Sequence, residues 1–240
     1  MIKLGGTPAG PRIHVIVPAA GVGARFGSPF RKQYVKARGV PLITHALHHL
    51  APLGALRTLV AIAPDDQDWH DALVPAGFAV RVERCGGATR AATVRNALAL
   101  LAPACRAGDF IAVHDAVRAL TPADALLRLR EALVDDPVGG LLALPVADTL
   151  KRGEGGDAPR SLGTQPRDGL WAAQTPQMFR YGLLAAALAM PENDGCTDEA
   201  QAMERAGHRP RLVRGSAYNF KVTLQDDLPL ASAILAAQNA

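Results

Sequence analysis

The run Val15-Ile16-Val17-Pro18-Ala19-Ala20-Gly21-Val22-Gly23-Ala24-Arg25 opens the chain's first strand and the loop beyond it, with Lys32 and Gln33 close behind. An apolar segment ends in small residues and two glycines, and two fixed cations follow. That is how a protein builds a cradle for a polyphosphate. Gly21 and Gly23 can take up φ > 0 and let backbone N–H groups approach phosphate oxygens closely. Arg25 offers a bidentate fork and Lys32 a compact point charge. The loop matches neither the G-x-x-x-x-G-K-S/T nor the G-x-G-x-x-G phosphate fingerprint. Alone, a Gly-x-Gly after a strand is equally the mark of an ordinary tight turn.

Outward from this loop, short β-branched runs alternate with Ala/Leu-rich stretches of helical period. That pattern predicts an α/β fold with a mainly parallel, Rossmann-like sheet flanked by helices. Strands are expected at 13–18, 58–63, 79–83, 110–114 and 140–146, and helices at 42–50, 66–73, 91–101, 123–134, 180–189, 198–206 and 226–236. Thr121-Pro122 reads as an N-cap with proline at the first helical position. Asp198 and Glu199 place acids in a first helical turn. Residues 148–174 break the alternation, with five glycines, two prolines and little apolar periodicity. A segment that long is either a disordered insert or an arm that leaves the body to pack on a partner subunit. Residues 1–12 are Gly/Pro-rich and are expected to be flexible, which leaves 13–240 as a single domain that includes the arm.

At 240 residues with 49% hydrophobic content, the chain can bury a substantial core. Aromatics make up only 5%, so that core must be aliphatic. The net charge of +4 is dispersed, without the basic stripe and aromatic platform of a nucleic-acid binder. Small phosphorylated substrates suit it better. Three cysteines with no C-x-x-C point to free thiols in a reduced, cytoplasmic setting. No secretory signal or bilayer-length apolar run is visible in the sequence.

His114-Asp115 ends the apolar run 110–113. Ligands of open α/β sheets bind beyond the carboxyl ends of strands, so Asp115 lies at the expected site and is suited to Mg²⁺. Gly86-Gly87, followed by Arg90 and Thr93, repeats the design of glycines and then a cation at a helix start. His45, His48 and His49 share a helical face, yet no carboxylate joins them, and Asp65-Asp66-x-Asp68 suits a helix N-terminus. Cys85 has no His partner in sequence, so it is not expected to act as a nucleophile.

The motifs form an ordered set. They are Pro18-Ala19-Ala20-Gly21-x-Gly23-x-Arg25, Lys32-Gln33, Gly86-Gly87-x-x-Arg90-x-x-Thr93-Val94, His114-Asp115-Ala116-x-Arg118, Asp148-Thr149-x-Lys151, Arg167-x-Gly169-Leu170-Trp171, Thr175-Pro176-Gln177, Thr197-Asp198-Glu199-Ala200 and Lys221-Val222-Thr223. From Ile13 to Leu235 this resembles the 2-C-methyl-D-erythritol 4-phosphate cytidylyltransferases, and several short motifs in fixed order are far more specific than any one. The resemblance implies a homodimer with a β-arm and shared sites, CTP and an alditol phosphate as substrates, and Mg²⁺. It implies that Arg25 and Lys32 stabilise the transition state, with Arg167 and Lys221 holding the attacking phosphate. Pro18, Ala19, Ala20, Gly21, Gly23, Gly86, Gly87, Arg90, Thr93, Asp115 and Ala116 would surround the nucleotide. Backbone groups near Gly86 and Gly87 would read the base, with Thr93 supplying a hydroxyl. Arg118, Thr149 and Thr197 would hold the polyol. Ala88 stands where the family commonly has an acid. Arg31 precedes Lys32 where a proline is usual, as a competing cation or a solvated one. Transfer to another alditol phosphate such as ribitol 5-phosphate, or nucleotide binding without turnover, are the alternatives.

Overall fold

The computed structural model describes residues 11–21 and 31–238. Its centre is β1 (Ile13–Ala19), whose run of apolar residues is buried on both faces, as an interior parallel strand requires. After β1 come the short strands β2 (Lys36–Ala37) and β3 (Val40–Pro41), helix α1 (Leu42–His49), β4 (Arg57–Ile62), β5 (Val80–Glu83) and α2 (Arg90–Leu101). The second half holds β6 (Phe110–Val113), α3 (Ala123–Leu133), β7 (Gly139–Pro145), β8 (Leu150–Gly153), β9 (Ser161–Gln165) and β10 (Trp171–Arg180). It ends with α4 (Tyr181–Ala189), α5 (Glu199–Arg205), β11 (Arg211–Arg214) and α6 (Asp227–Gln238).

Seven strands form one sheet in the order β11-β7-β10-β6-β1-β4-β5. β1 runs parallel to both β4 and β6, and only β10 runs antiparallel to its neighbours β6 and β7. The chain builds outward from β1 through β4 and β5, then returns to start again on the other side at β6. That reversal opens a crevice at the carboxyl ends of β1 and β6.

The alternation along β1 builds a layer on each face. Val15 and Val17 meet Ile43 and Leu47 of α1 and Leu126 and Leu129 of α3, whereas Ile16 meets Val94 and Leu98 of α2 and Leu184 and Leu188 of α4. A smaller cluster seats α6, through Ala231 and Leu235, on Leu42, Val117 and Leu120 beside the crevice mouth. The packing is mainly aliphatic, each buried leucine contributing about 1.5–3 kcal/mol, with one buried phenylalanine on each face, Phe110 and Phe179.

Several local expectations give way to tertiary contacts. Residues 66–73 form no α-helix, only a 3₁₀ turn at Asp71–Leu73. The acids there have other partners: Asp66 accepts from the Tyr34 hydroxyl and the Asp68 amide, and Asp65 pairs with Arg31. Pro122, not Thr121, stands at the N-cap of α3, and the Thr121 hydroxyl donates to Asn219 at 2.8 Å. The helix start expected at 198 is sound in kind: Asp198 caps α5 by accepting from the Gln201 amide. Within 148–174 the chain forms an antiparallel hairpin, β8–β9, with Gly163 at φ 152° and β9 exposed along its whole length. The segment rejoins the body earlier than expected, since β10 pairs with β7 from Trp171 and Gln174 is already buried. Of the N-terminal stretch, residues 1–10 lie outside the described residues, and Arg12 is tied to Asp109 by a short ion pair.

Candidate active site

The crevice is a cleft of about 430 Å³ lined by Pro18, Ala19, Ala20 and Gly21 from the end of β1. Lys32, Arg90, Thr93, Asp115, Ala116 and Lys221 complete its polar wall. Nine of the eleven residues expected around the nucleotide line this cleft, Gly87 among them, and Gly86 stands next to Gly87; Gly23 and Arg25 lie outside the described residues. Gly21 stands outside the left-handed region open to it, and the space where a Cβ would stand is open.

Both ends of the first loop are fastened. Gln33, buried, donates to the Ala19 carbonyl at 2.7 Å. Arg31 spans from Asp65 at 3.0 Å to Asp66 at 3.7 Å. Arg31 is therefore neither a solvated charge nor a free rival for phosphate. It anchors the turn Lys32–Tyr34 that carries Lys32 into the cleft.

The amides of the glycine pair are engaged within the protein. The Gly86 amide donates to the Ile62 carbonyl and the Gly87 amide to the Thr93 hydroxyl, so both are already used. Thr93 passes its own proton to the Thr89 carbonyl and has no hydroxyl left to offer as a donor. What the glycines supply is close approach. A Cβ on Gly86 would stand 2.5 Å from the Ala20 Cβ, and one on Gly87 2.6 Å from the Ala92 Cβ. Gly86 lets the β5–α2 loop press against the first loop and shapes the wall between them.

Asp115 is the electrostatic hub. Its Oδ1 accepts from Arg90 at 3.2 Å, and its Oδ2 faces Lys221 at 2.9 Å and the Arg118 Nε at 3.6 Å. Burial alone would raise its carboxyl, but Arg90, then Lys221 and Arg118, hold it well below the usual carboxylate range. Behind it, the Asp115 amide donates to Thr175 Oγ1, and the Thr175 hydroxyl meets His114 Nδ1 at 3.1 Å. His114 Nε2 reaches the Arg118 carbonyl. These contacts assign the neutral tautomer with its proton on Nε2, and burial holds the imidazole down at about 4. The Thr175–Pro176 peptide bond is cis.

Among the described residues Asp115 is the one carboxylate lining the cleft, and three cations surround it. Among the described residues no three His, Cys, Asp or Glu side chains gather in a metal-holding group. In this structure the oxygens of Asp115, the expected metal ligand, meet Arg90 and Lys221.

On the acceptor side, Thr197 and Arg118 line a smaller hollow continuous with the cleft through Arg90, Asp115 and Lys221. Arg118 is largely occupied with structure, donating to the Asn219 carbonyl at 2.6 Å, and burial pulls its guanidinium down. Thr149 and Arg167 stand apart from both hollows, exposed on the arm, where Arg167 bonds the Ala147 carbonyl.

Sequence reasoning assigned no place in the site to three residues that hold it together. Asn219, fully buried, bonds Thr121, the Thr175 carbonyl and Gln174, which fixes the strand of chain leading to Lys221. Gln177 ties β10 to Asp198 and the Ala200 amide. Glu199 grips Arg90. All three lie inside or beside quoted motifs, and that adjacency was the available signal.

A parallel sheet whose cationic cleft opens at the reversal of strand order, lined by the residues after its first and sixth strands, defines an α/β enzyme built for phosphorylated substrates. Within that class the chain belongs to the 2-C-methyl-D-erythritol 4-phosphate cytidylyltransferase family, whose profile matches residues 13–237. It is 52% identical over 231 residues to the protein of that name from Laribacter hongkongensis, covering 95% of this chain and 98% of the relative. The Thiobacillus denitrificans protein is 47% identical over 234 residues, with 95% and 100% covered. Among solved structures, a 4-diphosphocytidyl-2C-methyl-D-erythritol synthase superposes with a TM-score of 0.79 at 39% identity, covering 94% of this chain and 98% of that one. The Francisella tularensis cytidylyltransferase gives 0.77 at 31% identity, covering 93% and 99%. Among the described residues no helix is long and apolar enough to cross a membrane.

Proposed function

We infer that the chain transfers the cytidylyl group of CTP to 2-C-methyl-D-erythritol 4-phosphate, giving 4-diphosphocytidyl-2-C-methyl-D-erythritol and pyrophosphate. The observation that carries this reading is the convergence of Lys32, Arg90 and Lys221 on one cleft at the sheet's switch point, in a chain of this family. A phosphate oxygen of the acceptor attacks the α-phosphorus of CTP in line, and pyrophosphate leaves. The nucleophile is already an anion, so no general base is needed; catalysis consists of positioning and charge stabilisation.

Lys32, with Arg25, stabilises the charge that grows on the α-phosphoryl oxygens. Lys221, aimed by Asp115, meets the attacking phosphate, and Thr197 borders the polyol. Mg²⁺ would neutralise the nucleotide's phosphates, and Asp115 is the cleft carboxylate that would help to hold it. Thr149 and Arg167 stand away from their own chain's cleft, and this supports a homodimer in which the arm completes the neighbour's site. Residues 13–240 act as one nucleotidyltransferase unit. Three free cysteines suit a reducing cytoplasm.

Pyrophosphate release measured across CTP, UTP and ATP, each with 2-C-methyl-D-erythritol 4-phosphate and ribitol 5-phosphate, tests the assignment. Turnover confined to CTP with the methylerythritol phosphate is expected. Equal turnover with UTP would remove the cytidylyl claim, and preference for ribitol 5-phosphate would move the acceptor.

A further inference from the structure

Glu199 is the first residue of α5 and is only 1% exposed. Its Oε1 accepts from Arg90 Nη1 at 2.6 Å and its Oε2 from Arg90 Nη2 at 3.1 Å. The other edge of the same guanidinium, through Nε and Nη2, donates to Asp115 Oδ1 at 3.3 and 3.2 Å. Arg90 is therefore clamped between two carboxylates. Burial pushes the Glu199 carboxyl up against the pull of Arg90, yet both its oxygens face guanidinium donors, which suits the carboxylate.

The clamp is built into the scaffold. Gln177, buried on β10, donates to Asp198 Oδ2 at 2.9 Å and accepts the Ala200 amide at 2.8 Å, so it holds the residues on either side of Glu199. β10 lies directly beside β6, the strand that delivers Asp115. Asp115, just beyond β6, and Glu199, at the start of a helix braced by β10, thus approach Arg90 from neighbouring parts of the scaffold.

We propose that Glu199 is a positioning residue for the transfer reaction: by holding Arg90 it limits Arg90 to one oxygen of Asp115 and leaves the other for Lys221. The three cations and two carboxylates of the cluster leave one net positive charge where two anionic substrates must meet. Without Glu199 the guanidinium fork is free to take Asp115 through both oxygens and pull it from Lys221. The site becomes more positive and worse aligned. Anionic ligands are still attracted, but the phosphate that Lys221 presents is misdirected.

This rests on the cytidylyl-transfer reading, and the experiment separates the two. The unaltered chain is assayed first for pyrophosphate release from CTP; inactivity there overturns the function, not the clamp. Glu199→Gln is then expected to lower kcat about 10–100-fold, the scale of a misaligned reacting group, while KM for the alditol phosphate does not rise. Removing one partner of a buried pair also destabilises folding. Glu199→Asp therefore serves as the second variant, because it keeps the buried charge but withdraws it by one methylene. Its kcat is expected to fall in the same sense. Combining either variant with Arg90→Lys, which loses the fork, should give no further loss in kcat, because Glu199 acts only through Arg90. A merely structural role would instead multiply the two losses. Multiplicative losses, or a Glu199→Asp enzyme within twofold of the parent in kcat, would overturn the proposal.

Discussion

Thr175 holds Asp115 from behind: its Oγ1 accepts the Asp115 amide at 3.0 Å while its hydroxyl meets the Nδ1 of buried His114. The carboxylate that sorts the cleft's cations is thus fixed through its backbone by a residue 60 positions away on β10. Thr175→Val preserves the shape but strands a buried amide and a buried ring nitrogen. Each such orphan costs about 1–3 kcal/mol. Chemical denaturation should show a loss of a few kcal/mol, and kcat should fall because Asp115 is no longer held. Unchanged stability would mean that other groups satisfy both atoms.

His114 gives the fold an acid-sensitive component. Its pKa is depressed from 6.5 to about 4, so between those values the unfolded chain binds a proton that the native protein excludes. The stability due to this group is fully present above pH 6.5 and is lost as pH falls towards 4. From pH 7 to pH 5 the loss from this one ring is about 2 kcal/mol. Unfolding free energies of the parent and His114→Gln at both pH values should differ in slope, the variant being flatter. Burial also holds His14, His45 and His49 down, and they leave a residual slope in both proteins. Parallel slopes would contradict the assignment of His114.

Gly86→Ala tests the close approach of the two loops. The added methyl would meet the Ala20 Cβ at 2.5 Å and the Ala63 Cα at 3.0 Å, neither of which is a flexible side-chain end. The loops must separate, so CTP affinity should weaken at least tenfold while the far side of the sheet stays intact. Isothermal titration with CTP measures it, and parental affinity would show that the wall relaxes without cost.

Lys32→Ala and Arg25→Ala should each lower turnover far more than they weaken CTP binding. Charge on the α-phosphoryl oxygens grows only in the transition state, where losing one preorganised donor costs about 10²–10³ in kcat. Steady-state kinetics at saturating substrates decide it. Near-normal kcat in either variant would remove that residue from the chemistry.

The arm makes a prediction about mixtures. If Arg167 serves the partner's site and Lys32 its own, inactive Arg167→Ala chains mixed with inactive Lys32→Ala chains should regain activity. Each mixed dimer combines both lesions in one site and leaves the other whole, so random exchange restores about a quarter of all sites. Demonstrated subunit exchange with no recovery would place Arg167 in its own chain's site or outside the reaction.

The sequence by itself determined the α/β alternation, the first loop, and the ordered motifs that identify the family. Hydrophobic period and motif spacing are local properties, and five expected strands and six expected helices lie within two residues of where they are found. It left β10 and β11 unmarked, because neither the antiparallel strand inserted between β6 and β7 nor the short edge strand beside β7 carries a local sign of its neighbours. Tertiary structure alone decided the partnerships. Arg90 meets Glu199 across 109 residues, Thr121 gives its hydroxyl to Asn219 in place of capping α3, and Thr93 and Ile62 take the amides of Gly87 and Gly86. A polar side chain bonds whichever complementary group the packed sheet brings within about 3 Å, and sheet order sets that distance, not separation along the chain.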